Sequence, residues 1–222
     1  MMNRFNPNAR LLLFILALLL LLAVVHVGVI SITFSKLGLT RESAFILLFC
    51  SLFGSLINLP LFTIQARKPI KIRDIPLSGM LRPYLAHHRG RTLIAVNVGG
   101  CLIPVFFSIY LFATQPLLLP DILIGISLVT LVSYTYSFPV PGTGIGMPMI
   151  IAPVCAAIIA IMLNSDHSAP LAYISGTIGV LLGADLLNFR HISQMGAMIA
   201  SIGGAGTFDG IFMTGILAVL LA

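Results

Sequence analysis

The stretch MGAMIASIGGAGTFDGIFMTGILAVLLA, residues 195–222, decides how this chain is read. It is almost wholly apolar, and Asp209 is its only formal charge. Four glycines surround that acid: Gly203, Gly204, Gly206 and Gly210. A bilayer-crossing helix needs about 20 apolar residues, so the length predicts a transmembrane span over roughly 196–221. An aspartate in hydrocarbon costs a few kcal/mol. Glycine weakens the helix that would have to carry it.

Working outward, the same logic covers the whole chain. Of 222 residues, 59% are hydrophobic and 8% are charged, with a mean hydropathy of +1.11. That composition excludes a soluble globular domain and predicts an integral membrane protein. Apolar runs predict about seven spans, over roughly 11–34, 43–65, 93–113, 122–138, 147–163, 171–188 and 196–221. The expected fold class is an all-α, polytopic membrane helical bundle with segments broken by Gly and Pro. Its expected parts are an N-terminal two-helix hairpin (1–66), a basic cytoplasmic loop (67–92) and a five-helix core (93–222). The first run is longer than a signal-peptide h-region and reads as a retained helix.

The basic residues set an orientation. Arg67, Lys68, Lys71, Arg73, Arg82, Arg89 and Arg91 fall in one loop. With that loop in the cytoplasm, every Lys and Arg except Lys36 and Arg41 lies inside, as the positive-inside rule requires. The N-terminus is then cytoplasmic and the C-terminus outside, in a prokaryotic inner membrane. Within this loop, Met80, Leu81, Tyr84 and Leu85 could form one face of a surface helix that binds anionic lipid or a partner, or the loop sets topology alone. The net charge of +6 speaks to orientation, not to nucleic acid. The partners expected are the lipid bilayer and a membrane-protein partner or substrate.

Glycine and proline also cluster in NVGGCLIP (97–104), SFPVPGTGIGMPMIIAP (137–153) and ISGTIGVLLGADLLN (174–188). Gly179 and Gly183 form a GxxxG packing pair. Pro139, Pro141, Gly142, Gly144 and Gly146 make the second cluster a candidate re-entrant turn, and Pro148 suits the start of a new helix. Cys50, Cys101 and Cys155 lie in apolar segments and read as small hydrophobes. No ligand spacing implies a metal or cofactor.

Two acids lie inside predicted spans. Asp185 sits near the inner end of the sixth and Asp209 in the middle of the seventh. Intramembrane carboxylates are functional candidates by default. Structural roles compete: Asp185 could cap a helix or pair with Arg190, and Asp209 could bond a hydroxyl. Asn97, Asn188, Thr207 and Thr214 are polar companions, and His26 is a lone mid-membrane histidine.

NVGGCLIP, PGTGIGMP, GADLLN and GGAGTFDGIFMTGILAVLLA resemble an uncharacterised family of prokaryotic multi-spanning membrane proteins with a terminal GGAGTFDGIF-type signature, over about residues 93–222. That resemblance implies a membrane location. Gly206-Thr207-Phe208-Asp209 also resembles the Gly-x-hydrophobic-Asp motif of the membrane-embedded aspartyl proteases, the presenilin and prepilin-peptidase group, with Asp185 as the second acid. The Tyr-Asp pair and the Pro-Ala-Leu motif of those enzymes are missing. This likeness implies a diaspartyl peptidase in which Asp185 and Asp209 share a proton, one activating water and the other protonating the peptide carbonyl. Gly203, Gly204, Gly206, Thr207, Asn188, Asn97, Gly142 and Gly144 are then the binding candidates.

Straight helices would leave the two acids roughly 10 Å or more apart in depth. A non-helical GGAG segment would remove that gap. A transporter or channel with Asp209 as an ion or proton site at a broken helix needs only one acid. A structural membrane subunit needs neither.

Overall fold

The computed structural model describes residue 28 and residues 33–66, 91–140, 144–204 and 210–222. His26, Met80, Leu81, Tyr84, Leu85, Gly142, Gly206, Thr207 and Asp209 lie outside those residues.

Three apolar runs expected to be single helices are each part helix and part strand. The run 43–65 forms α1 (Arg41–Gly54) and then β1 (Asn58–Gln65). The run 93–113 forms most of β2 (Arg91–Asn97), a π-helical turn (Val98–Leu102) and α2 (Ile103–Thr114). The run 196–221 forms β5 (Ile199–Ile202) and α7 (Gly210–Leu221). The remaining elements are α3 (Leu119–Tyr136), a hairpin of β3 (Phe138–Val140) and β4 (Gly144–Gly146), α4 (Ile151–Leu163), α5 (Ser168–Val180) continued by a π turn (Leu181–Leu186), and the short α6 (Phe189–Ile192).

The expected all-α bundle of about seven spans is therefore corrected. Two sheets are present, and among the described residues only Leu119–Tyr136 and Ser168–Leu186 are helices long and apolar enough to cross a membrane. The reason is physical. A strand buried on both faces is as uniformly apolar as a buried helix, so run length alone cannot separate them. Local residues break each run instead. Asn58 begins β1, where Pro60 has no N–H to give a helix. Asn97 ends β2, and Gly203 ends β5 with φ +82°, a backbone region that suits glycine.

The larger sheet has the order β1-β2-β5. β1 runs antiparallel to β2, from Asn58 opposite Asn97 to Gln65 opposite Arg91, with an irregularity between Pro60 and Phe62. β5 is parallel to β2, Leu93 facing Ile199 and Val96 facing Ile202. In the central strand, Thr92, Leu93, Ile94 and Ala95 are all buried. The glycine-rich segment after α3 forms the β3–β4 hairpin, and the next helix starts at Ile151, beyond Pro148.

α5 is the axis of the helical layer. Every one of its residues except Ile178 is buried, against α2, α3, α4 and α7. Small residues allow this. Gly176 faces Ala156 and Thr214, Gly215 faces Tyr173, and Gly179 faces Val129. A Cβ on Gly179 would stand 2.7 Å from Val129, so the GxxxG pair does hold α5 against α3. Phe107 meets Tyr173 edge-on at 5.0 Å.

Hydrogen bonds identify the two ends of the layer. At one end, Lys36 Nζ donates to the Val219 and Leu220 carbonyls, Ser168 Oγ to Ala222 O, and Gln115 Nε2 to Leu37 O. The three-stranded sheet lies at the other end. There Phe189 of α6 rests on Phe62 of β1 with ring centroids 6.0 Å apart.

Candidate functional site

Each broken run changes from strand to helix, or helix to strand, at an asparagine or a glycine pair. The fold brings these breaks together. Asn97, at the end of β2, is 1% exposed. Its Nδ2 donates to Ser55 O (2.7 Å) just after α1 and to Asn58 Oδ1 (3.1 Å) at the start of β1. Its Oδ1 accepts from Gly100 N (2.7 Å) and so caps the π turn that opens α2. Asn58 Oδ1 also accepts from Ser201 Oγ (2.5 Å) of β5. One buried side chain thus satisfies backbone groups freed at two breaks and, through Asn58, reaches the third. A buried amide left unpaired would cost about 1–3 kcal/mol, so the network specifies where all three runs stop.

Glycines let the backbones touch. Gly99 packs on the last turn of α1, where Ser51 Oγ donates to Gly99 O (2.7 Å). A Cβ on Gly99 would overlap Ser51 O, and one on Gly100 would overlap Gly203 O. Gly203 and Gly204 have φ of +82° and +88°. A Cβ on Gly203 would stand 2.6 Å from Cys101 Cβ and 2.7 Å from Cys101 N. Both glycine pairs, 99–100 and 203–204, are therefore parts of one junction.

Asp185 enters this junction from the π turn that extends α5. Its Oδ2 accepts from Gly203 N at 2.9 Å. The carboxylate is half-buried. A bond to an ionised acceptor is shorter and stronger than a neutral one, and here it ties the end of α5 to the segment leading into α7. The α5–α7 contacts set the relative depth. Gly215 lies against Tyr173 and Thr177, and Gly176 against Thr214 and Ala218. This antiparallel register brings Gly210, the first residue of α7, level with a residue about four before Asp185, or about 6 Å along the axis. The depth gap expected between straight helices is reduced because residues 199–204 are a strand and a turn.

The other expected site residues fall into three groups. Gly203, Gly204 and Asn97 belong to the junction. Asn188 does not: it is buried and its Nδ2 donates to Gly183 O (3.1 Å), which secures the end of the π turn carrying Asp185. Gly144 is in the β3–β4 hairpin, where a Cβ would meet nothing within 4 Å. Asp209, Gly206, Thr207 and Gly142 are outside the described residues. Sequence reasoning missed Ser51, Ser55, Asn58 and Ser201. The available signal was Asn58-Leu59-Pro60, a polar residue and a helix breaker inside an apolar run.

Among the described residues, no group of three or more His, Cys, Asp or Glu is placed to hold a metal ion. All three cysteines are free thiols. A family model described as a protein of unknown function (DUF1614) matches residues 52–221 of the chain. No curated protein and no solved structure matches it.

Proposed function

We propose, for a chain that belongs to the DUF1614 family of proteins of unknown function, that it is a prokaryotic cytoplasmic-membrane protein and an intramembrane diaspartyl peptidase using Asp185 and Asp209. The observation that carries this reading is the 2.9 Å bond from Gly203 N to Asp185 Oδ2. It joins the helix bearing one acid to the glycine segment leading to the other. In this reading the two carboxylates share one proton, because two close acids cannot both ionise. The ionised one removes a proton from water, whose oxygen attacks the peptide carbonyl carbon. The protonated one donates to the carbonyl oxygen, and collapse of the resulting diol breaks the C–N bond. The terminal GGAGTFDGIF signature and the Gly-x-hydrophobic-Asp likeness point the same way. The sheet end is the cytoplasmic one, because the basic segment leaves β1 at Gln65 and returns to β2 at Arg91, a paired position, and Arg190 follows on α6. The C-terminus is then outside.

The test is cleavage of single-span peptides by the whole protein in liposomes, alongside cation and proton flux. Asp185→Asn and Asp209→Asn should each abolish cleavage while leaving thermal unfolding close to wild type. The convergence of three interrupted runs favours a second reading, an ion or proton site at a broken helix. That reading gains if flux is found and Asp209→Asn alone stops it. Loss of a co-purifying partner, without turnover or flux, would instead indicate a structural subunit.

A further inference from the structure

The apolar surface of this fold differs in height from one flank to another. On the flank of α4, the exposed apolar residues run from Met149 and Ile150, just before the helix, through Ile158 and Ile161 to Met162. Beyond them come Asn164 and the exposed Asp166. At 1.5 Å per residue this band is about 20 Å tall. On the flank of α1 the band begins at Ile46 and passes Phe49, Phe53 and Leu56. It continues along β1 through Leu59, Leu61 and Phe62. Helix and strand rises together give a contour of roughly 30 Å. The hydrocarbon core of a bilayer is about 30 Å thick.

We infer that the bilayer is thinned locally where it meets α4, so that this flank selects lipids with short acyl chains while the α1–β1 flank takes lipids of ordinary length. The inference rests on the membrane reading above, not on the peptidase chemistry. Tilting α4 would only shorten its band, and longer exposed apolar side chains are not available at its ends. A bilayer yields to such a mismatch more readily than a packed helix does. The thinned flank is next to the acid site. The β3–β4 hairpin leads into α4, and β4 packs against the π turn that carries Asp185. Headgroups drawn inward there carry water towards that carboxylate, which either proposed chemistry would use.

The chain has no tryptophan, so each introduced one reports from a single place. Ile158→Trp on α4 and Phe49→Trp on α1 put reporters at positions 52% and 55% exposed. Met162→Trp and Phe53→Trp form a second pair if either of the first does not fold. The full chain is reconstituted with dibrominated phosphatidylcholines bearing dimyristoleoyl, dioleoyl or dierucoyl chains, and fluorescence quenching gives the relative association of each lipid. At α4 the shortest lipid should be preferred over the longest by about twofold to fivefold, with the optimum at α1 at dioleoyl. The same optimum at both positions would overturn the inference and leave the membrane reading standing. No quenching at either position would overturn both.

Discussion

Gly203→Ala probes the junction most directly. Two costs add. An L-residue at φ +82° pays about 1–2 kcal/mol relative to glycine. The new methyl also stands 2.6 Å from Cys101 Cβ and 2.7 Å from Cys101 N, and overpacking of this kind costs about 1–3 kcal/mol. The sum is about 2–5 kcal/mol. Two controls separate the terms. Gly144→Ala meets a positive φ of 150° with no atom within 4 Å of the new methyl, so it carries strain alone. Gly100→Ala has no positive φ but would overlap Gly203 O, so it carries packing alone. Reversible chemical unfolding in mixed micelles, with each variant beside wild type, should rank Gly203→Ala as the most destabilised. If Gly203→Ala costs no more than Gly144→Ala, then Cys101 does not lie against Gly203 and the junction as drawn is wrong.

Other substitutions test neighbouring parts. Asn97→Ala removes bonds to Ser55 O, Asn58 Oδ1 and Gly100 N at a buried position, and should cost about 2–4 kcal/mol in the same unfolding assay. Asp185→Ala should lose about 1.5–3 kcal/mol with its bond from Gly203 N, whereas Asp185→Asn keeps an acceptor and should lose less than half of that; equal losses would mean the amide cannot replace the carboxylate there. Ser133 Oγ is buried without a hydrogen-bond partner among the described residues, so Ser133→Ala should be neutral or stabilising by up to about 1 kcal/mol, and a clear loss would reveal a bond partner. Lys36→Met removes two donated bonds at the C-terminal end of α7; hydrogen exchange of the last turn should rise while global stability falls by no more than about 1 kcal/mol.

Parts of this architecture are legible in residue order alone. The spans expected at 122–138 and 171–188 match α3 and the α5–π-turn helix closely, because a long apolar run without a break has one good solution. Gly179 and Gly183, four apart, do hold α5 against α3. Asp185 also stands out on sequence grounds, as an acid where charge is costly. What residue order cannot decide is whether an apolar run of twenty residues stays helical throughout. In β2 every residue from Thr92 to Ala95 is buried, so the alternation that marks a half-exposed strand is absent. Only the partners β1 and β5, more than twenty residues away on one side and about a hundred on the other, supply the hydrogen bonds that make it a strand. The junction depends on tertiary structure in the same way. Asn58, Asn97, Ser201 and Gly203 come from three separate runs and acquire their roles only when those runs break at one place. Backbone groups released at each break must be satisfied by the others, and that constraint exists only in the folded chain.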